Sequence, residues 1–94
     1  MAISEDGVVT ISGDLTFDTV NALLDQASDF FEPLAKLDIN LEHVTRSDSA
    51  GLALLVDWMR YAKNKNKKIV FHHVPTQLLA IANASGLDEL LSID

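Results

Sequence analysis

The sequence predicts an α/β fold: a small mixed β-sheet packed with α-helices in the order β(β)αβαβα. Three observations lead there. Apolar and polar residues alternate at a two-residue period in residues 7–13, 37–41 and 68–74. Apolar residues at helical spacing fall between and after those segments. A strand–helix–strand succession needs a crossover, so at least one strand pair is parallel.

In order, GVVTISG at 7–13 puts Val9 and Ile11 on one face and Val8 and Thr10 on the other. Residues 2–4 can pair with it, because Glu5-Asp6-Gly7 suits a hairpin turn. Asp18 or Thr19 suits the cap of the next helix, whose face is Val20, Leu23, Leu24, Ala27 and Phe31, and Pro33 stops it. LDINL at 37–41 buries Leu37, Ile39 and Leu41. A loop and then a second helix are expected between this strand and KIVFHHV at 68–74. Polar residues and lysines at 64–67 suit that helix's negative end. Pro75 fits the first position of a last helix with Leu78, Leu79 and Ala82 as its apolar face. Gly86 fits a left-handed residue past its end, with Leu87 folding back. The remainder, LDELLSI, reads as a short terminal turn.

At 94 residues the chain has room for one domain, taken as 1–94. A net charge of −7 disfavours nucleic acid and anionic lipid as partners. Lys63, Lys65, Lys67 and Lys68 form the one local basic cluster, read as a solvated helix end. The absence of cysteine removes disulfides, thiolate catalysis and zinc–thiolate sites. MAISEDGVV lacks the basic and apolar stretches of a signal peptide, and no apolar run reaches the roughly 20 residues of a membrane span. The expected location is cytoplasmic, with a membrane reached only through a complex.

The informative stretch is Asp48-Ser49-Ala50-Gly51-Leu52, at a strand–loop–helix junction. Free N–H groups and the positive end of the helix dipole converge there, so the junction can take a capping side chain, a phosphate or a partner's carboxylate. Ser47, Asp48 and Ser49 all suit the cap, and Gly51 keeps the surface flat for close approach. The helix that follows has two apolar faces. Leu52, Leu55, Val56, Met59 and Ala62 face the sheet. Ala50, Leu54, Asp57 and Tyr61 fall nearly opposite, with Trp58 at the flank. The second stripe is either covered by the protein's own loops or a docking patch beside Ser49, since Tyr and Trp are favoured interface anchors. The candidate partner-binding residues are therefore Ser47, Asp48, Ser49, Ala50, Gly51, Leu54, Asp57, Trp58 and Tyr61.

Catalysis has little to rest on. His72 and His73 are neighbours on an expected strand and point to opposite faces, so they do not share a metal. Ser49, His43 and Asp48 form a triad only on paper, with no nucleophile elbow. No phosphate-binding glycine loop or dinucleotide fingerprint is present. Neither a cofactor nor a metal is expected.

These segments resemble the STAS family, the domain of bacterial anti-anti-sigma factors and anion-transporter tails. The likeness rests on LDINL, the junction Asp-Ser-x-Gly-Leu at 48–52, KIVFHHV and PTQLLAIANASGLDELL, and covers essentially the whole chain. SAGLALLVDWMRYAK and the ending LLAIANASGLDELL are most similar to the MlaB-type branch. That resemblance implies a non-catalytic subunit of a phospholipid-transport ABC complex that maintains outer-membrane lipid asymmetry. It would bind the ATPase subunit and support its assembly and activity. The alternative it implies is an anti-anti-sigma factor phosphorylated at Ser49 by a partner serine kinase. Ala50, where many such factors carry a second serine, weakens that alternative.

Overall fold

A computed structural model of the chain describes residues 1–87. The elements are β1 (Ala2–Ile3), β2 (Val8–Leu15), α1 (Val20–Phe31), β3 (Lys36–Ser47), α2 (Ser49–Asn64), β4 (Lys68–His72) and α3 (Thr76–Ala84). Their order is the expected one. The strands lie in the order β1-β2-β3-β4. β1 runs antiparallel to β2, whereas β2, β3 and β4 are mutually parallel, which makes the sheet mixed. Both parallel connections step the same way across the sheet, so right-handed crossovers put α1 and α2 on one face. α2 packs on β3 and β4 with α1 on one flank and α3 on the other.

Strand alternation sets the core. Val9, Ile11, Leu37, Ile39, Leu41 and Phe71 are fully buried beneath the helices. Val8, Thr10, Asp38, Asn40, Val70 and His72 line the opposite face and are half-buried. There His72 Nε2 lies 2.9 Å from Asp38 Oδ1, across the β3–β4 pair.

β3 is longer than the alternation predicts, because residues 42–47 continue the strand. Its register against β2 shifts twice, between Thr10 and Ser12 and again between Gly13 and Leu15. Each shift gives β3 an extra residue and breaks the two-residue period. Glu42 and His43 are consequently both exposed, and this stretch carries the signature of a loop. Three further differences are local. Pro75 is the cap of α3 rather than its first residue. β4 ends at His72, and His73 lies beyond it at φ 57°, so the two histidines are separated by a break rather than by alternation. Leu24 and Leu79, placed on apolar faces, are 40% and 37% exposed. The end of α3 is as expected: Gly86 is left-handed, and Leu87 N–H returns to the Ala82 carbonyl at 2.8 Å. From residue 88 onward the expected terminal turn lies outside the described residues.

The second apolar stripe of α2 is core. Leu54 and Trp58 are buried and Tyr61 is half-buried. The Phe31 ring of α1 meets Trp58 edge-on at 5.1 Å and Tyr61 at 5.8 Å. The cause is the central position of α2, which is covered by the sheet below and a helix on each side. Leu54→Ala should therefore cost about 2–5 kcal/mol, whereas Asp57→Ala on the exposed side should stay within about 0.5 kcal/mol of the parent. Denaturant unfolding followed by Trp58 fluorescence reads both. Equal midpoints for the two variants would remove Leu54 from the core.

Candidate functional site

The carboxyl ends of β2 and β3 and the start of α2 meet at one end of the sheet, where open α/β sheets present their ligand sites. Ser47, the last residue of β3, pairs with Leu15, the last of β2. Only Asp48 separates β3 from α2. Its backbone is extended, at φ −136° and ψ −172°. Its N–H donates to the Leu15 carbonyl at 3.3 Å. Oδ1 accepts the N–H groups of Ala50 at 2.9 Å and Gly51 at 3.3 Å. Oδ2 accepts the Phe17 N–H at 3.1 Å. One carboxylate thus caps α2 and holds the β2–α1 loop.

The other two candidate caps have different roles. Ser49 is the first helical residue and is exposed, and its hydroxyl makes no hydrogen bond among the described residues. Ser47 is buried; its N–H donates to Gln77 Oε1 of α3 at 3.0 Å, and its Oγ has no partner among the described residues. Ala50 is half-buried beside them.

Gly51 does not flatten the surface, as the sequence suggested, because it is buried. A Cβ there would collide with the Leu15 carbonyl oxygen and stand 3.0 Å from Leu15 Cγ. The glycine lets the first turn of α2 lie against the end of β2. Nearby, Arg46 Nη2 pairs with Asp14 Oδ2 at 2.7 Å, and Thr45 Oγ1 donates to Asp14 Oδ1 at 2.8 Å. Hydrogen bonds from Arg46 and then Thr45 hold the Asp14 carboxyl below the usual aspartate range.

The remaining candidates do not form one patch. Tyr61 sits twelve residues after Ser49, roughly 18 Å along the helix axis. Its hydroxyl donates to Glu32 Oε2 at 3.1 Å, and Lys67 Nζ lies 5.6 Å from its ring centre. Trp58 is inside, and Leu54 forms the floor of a cleft between α1 and α2. That cleft, of about 360 Å³, opens close to Ser49 and is edged by Asp57. Its other walls include two residues the sequence reading did not single out as site residues, Phe17 at 78% exposure and Leu24. Phe17 sits in a loop, where periodicity carries no signal. Leu24 lies on the edge of the apolar face of α1, where spacing does not separate a core residue from a rim residue. Among the described residues, no three His, Cys, Asp or Glu side chains gather as a metal cage.

Removing the Asp48 carboxylate should cost about 0.5–2 kcal/mol for the cap alone, plus the loosening of the Phe17 loop. Ser49→Ala should melt with the parent. Thermal melting of the two variants is the check, and a larger loss from Ser49→Ala than from Asp48→Ala would reverse the assignment of the cap.

Comparison with known proteins agrees with this geometry. The chain is 18% identical to the unphosphorylated anti-sigma factor antagonist SpoIIAA, with a TM-score of 0.72 over 93% of this chain and 77% of the other. A Thermotoga maritima protein described as a putative anti-sigma factor antagonist superposes at 0.80 with 18% identity, covering 98% and 81%. A sulfate transporter family protein from Wolinella succinogenes gives 0.73 at 16% identity, covering 99% and 80%. These likenesses establish the fold. In sequence, 53 residues are 36% identical to the intermembrane phospholipid transport system binding protein MlaB of Haemophilus influenzae. That match covers 56% of this chain and 50% of the curated relative, so it spans half of that protein's length. Residues 2–92 match the family described as MlaB, STAS domain, and the chain therefore belongs to the STAS family.

Proposed function

We propose that residues 1–94 form one STAS domain acting as a non-catalytic, cytoplasmic subunit of a phospholipid-transport ABC complex. It docks on the nucleotide-binding ATPase subunit, supports assembly and activity of that subunit, and reaches the inner membrane only through the complex. The observation that carries this reading is the match to the Haemophilus phospholipid-transport protein. Among the described residues, no helix is long and apolar enough to cross a membrane by itself. The contact surface is the Ser49 tip: Ser49, Ala50 and Asp57 lie outward or partly so, while Ser47, Asp48 and Gly51 hold the tip in place. Leu54 supports it from within α2, while Trp58 and Tyr61 pack against Phe31 farther along the helix.

A second reading, an anti-anti-sigma switch phosphorylated at Ser49 by a serine kinase, is favoured by one feature, the exposed and unbonded Ser49 hydroxyl. A phosphate there adds about −1.5 to −2 charges. It would stand beside the Asp48 carboxylate, which already holds the Ala50 and Gly51 N–H groups. The modification would therefore repel rather than build an anion site, and would act as an off signal.

Co-expression with the ATPase subunit separates the two. Ser49→Arg and Ser49→Asp should abolish co-purification without shifting the melting temperature, since an unpaired charge in a desolvated contact costs several kcal/mol. Ser49→Thr should retain it. The domain alone should not hydrolyse ATP, and the complex should turn over faster than the ATPase by itself. Full retention of the ATPase by Ser49→Arg would sink the tip as the contact. Stoichiometric Ser49 phosphate together with a bound kinase would favour the switch.

A further inference from the structure

The proposed contact at the Ser49 tip leaves open what kind of partner surface meets it, and the α1–α2 cleft supplies an answer. Its floor is Leu54 with Val20, its walls are Phe17 and Leu24, and Ala50 and Ala53 keep its mouth open. Phe17 is 78% exposed, a large aromatic with little of its surface covered by its own chain. Its neighbour Asp48 fixes it through the Phe17 N–H, so the ring is offered on a fastened loop. Such aromatics anchor interfaces when a partner covers them.

The charged residue that lines the cleft is acidic, Asp57, and two further aspartates adjoin its walls in sequence, Asp18 next to Phe17 and Asp25 next to Leu24. All three are exposed. α1 carries no Lys, Arg or His, and α2 carries none before Arg60. Arg46, the cation at this end, pairs with Asp14 at 2.7 Å and also faces Asp18, so Asp57 and Asp25 are the aspartates left for a partner. The other six Lys and Arg residues are Lys36 and those at 60–68, and they gather toward the opposite end of the sheet, where Lys36 pairs in register with Lys68. An apolar floor edged by Asp57, with no Lys or Arg in its lining, suits an apolar ligand with a cationic border.

The geometry points to this cleft as the seat of one amphipathic helix of the partner, with apolar anchors entering the cleft and Lys or Arg facing Asp25 and Asp57. A helix suits the site because a trough between two helices receives anchors at i, i+3 or i+4 and i+7. The assignment rests on the docking reading above, and it specifies the partner's chemistry at that surface.

The test uses the full chain co-expressed with the ATPase subunit, and purified complexes measured by titration calorimetry. Ala53→Trp fills the mouth from an exposed position, Leu24→Asp makes a wall polar, and Asp57→Lys reverses the rim. Each should melt with the parent and weaken binding at least about tenfold, as loss of an interface anchor does. Parent affinity should fall as salt rises from about 50 mM to about 0.5 M, and that dependence should flatten in Asp57→Lys. Overlapping peptides of the ATPase subunit then identify the segment. A cationic amphipathic one should shift the amide NMR signals of Phe17, Leu24 and Ala53, and the same peptide with glutamate in place of its basic residues should not. Unchanged affinity in Ala53→Trp and Leu24→Asp, while Ser49→Arg abolishes binding, would overturn the cleft and leave the tip standing. Undiminished binding by all the variants, Ser49→Arg included, would overturn both. A dimer of the chain alone that Ala53→Trp dissociates would assign the cleft to a second copy and overturn a partner helix.

Discussion

The Asp48 carboxylate is the interaction on which the geometry of the tip depends. Both of its oxygens are committed, one to the first turn of α2 and one to the Phe17 N–H. The loop after β2 and the helix after β3 are distant in sequence, and this one side chain sets their relative position. Its consequence for Ser49 is indirect. Because Asp48 supplies the cap, Ser49 need not turn inward to satisfy the helix N–H groups, and its hydroxyl stays outside. The contact between Gly51 and Leu15 completes the junction from the apolar side, since any side chain at 51 would push α2 away from β2.

The far end of α2 is fastened independently. Lys67 Nζ donates to the carbonyls of Phe31 at 2.7 Å and Glu32 at 2.9 Å, satisfying the end of α1, and stands over the Tyr61 ring. Phe31 packs beneath it, edge-on to Trp58 and tilted against Tyr61. The central helix is therefore held at its start by the Asp48 carboxylate, which complements its own dipole, while the ammonium just past its end complements the dipole of α1 and ties the two helices together. With the sheet below and helices on both flanks, little of α2 beyond Ser49, Ala53, Asp57, Arg60, Lys63 and Asn64 remains outward.

Alternation and helical spacing made most of the fold legible, along with the junction at 48–52. What they did not reveal follows from their physics. A period shows which residues share a face but not how many faces are covered. The stripe of Leu54, Trp58 and Tyr61 was therefore open to two readings until the position of α1 decided between them. A bulge destroys the period while keeping the strand, which hid residues 42–47. At the junction, sequence chemistry offered three residues, Ser47, Asp48 and Ser49, and all three are good caps. Only the geometry divides them into a buried strand end, a cap and an exposed hydroxyl. Phe17 carried no signal because a loop aromatic has no spacing to betray it.

The separation of charge has two causes that can be distinguished residue by residue. Asp48 at the start of α2, Asp18 just before α1 and Lys63 in the last turn of α2 all complement helix dipoles, and folding alone accounts for them. Asp57 and Asp25 lie in mid-helix and are exposed, where the dipole gives them no advantage. Each stands without a salt bridge among the described residues, although the chain has six cations besides Arg46. Acidic residues so placed contribute at most a few tenths of a kcal/mol, as between Asp57 and Arg60 one turn on, and they add to the self-repulsion of a chain already at −7. Their effect is outward: they add negative potential on the side of α1 and α2 away from the lysines, and the proposed cationic partner would be drawn to that side. In the proposed docking, stability and recognition would thus use different members of the same acidic set. For that reason the exposed aspartates can be altered without unfolding the domain, while Asp48 cannot be replaced without disturbing both.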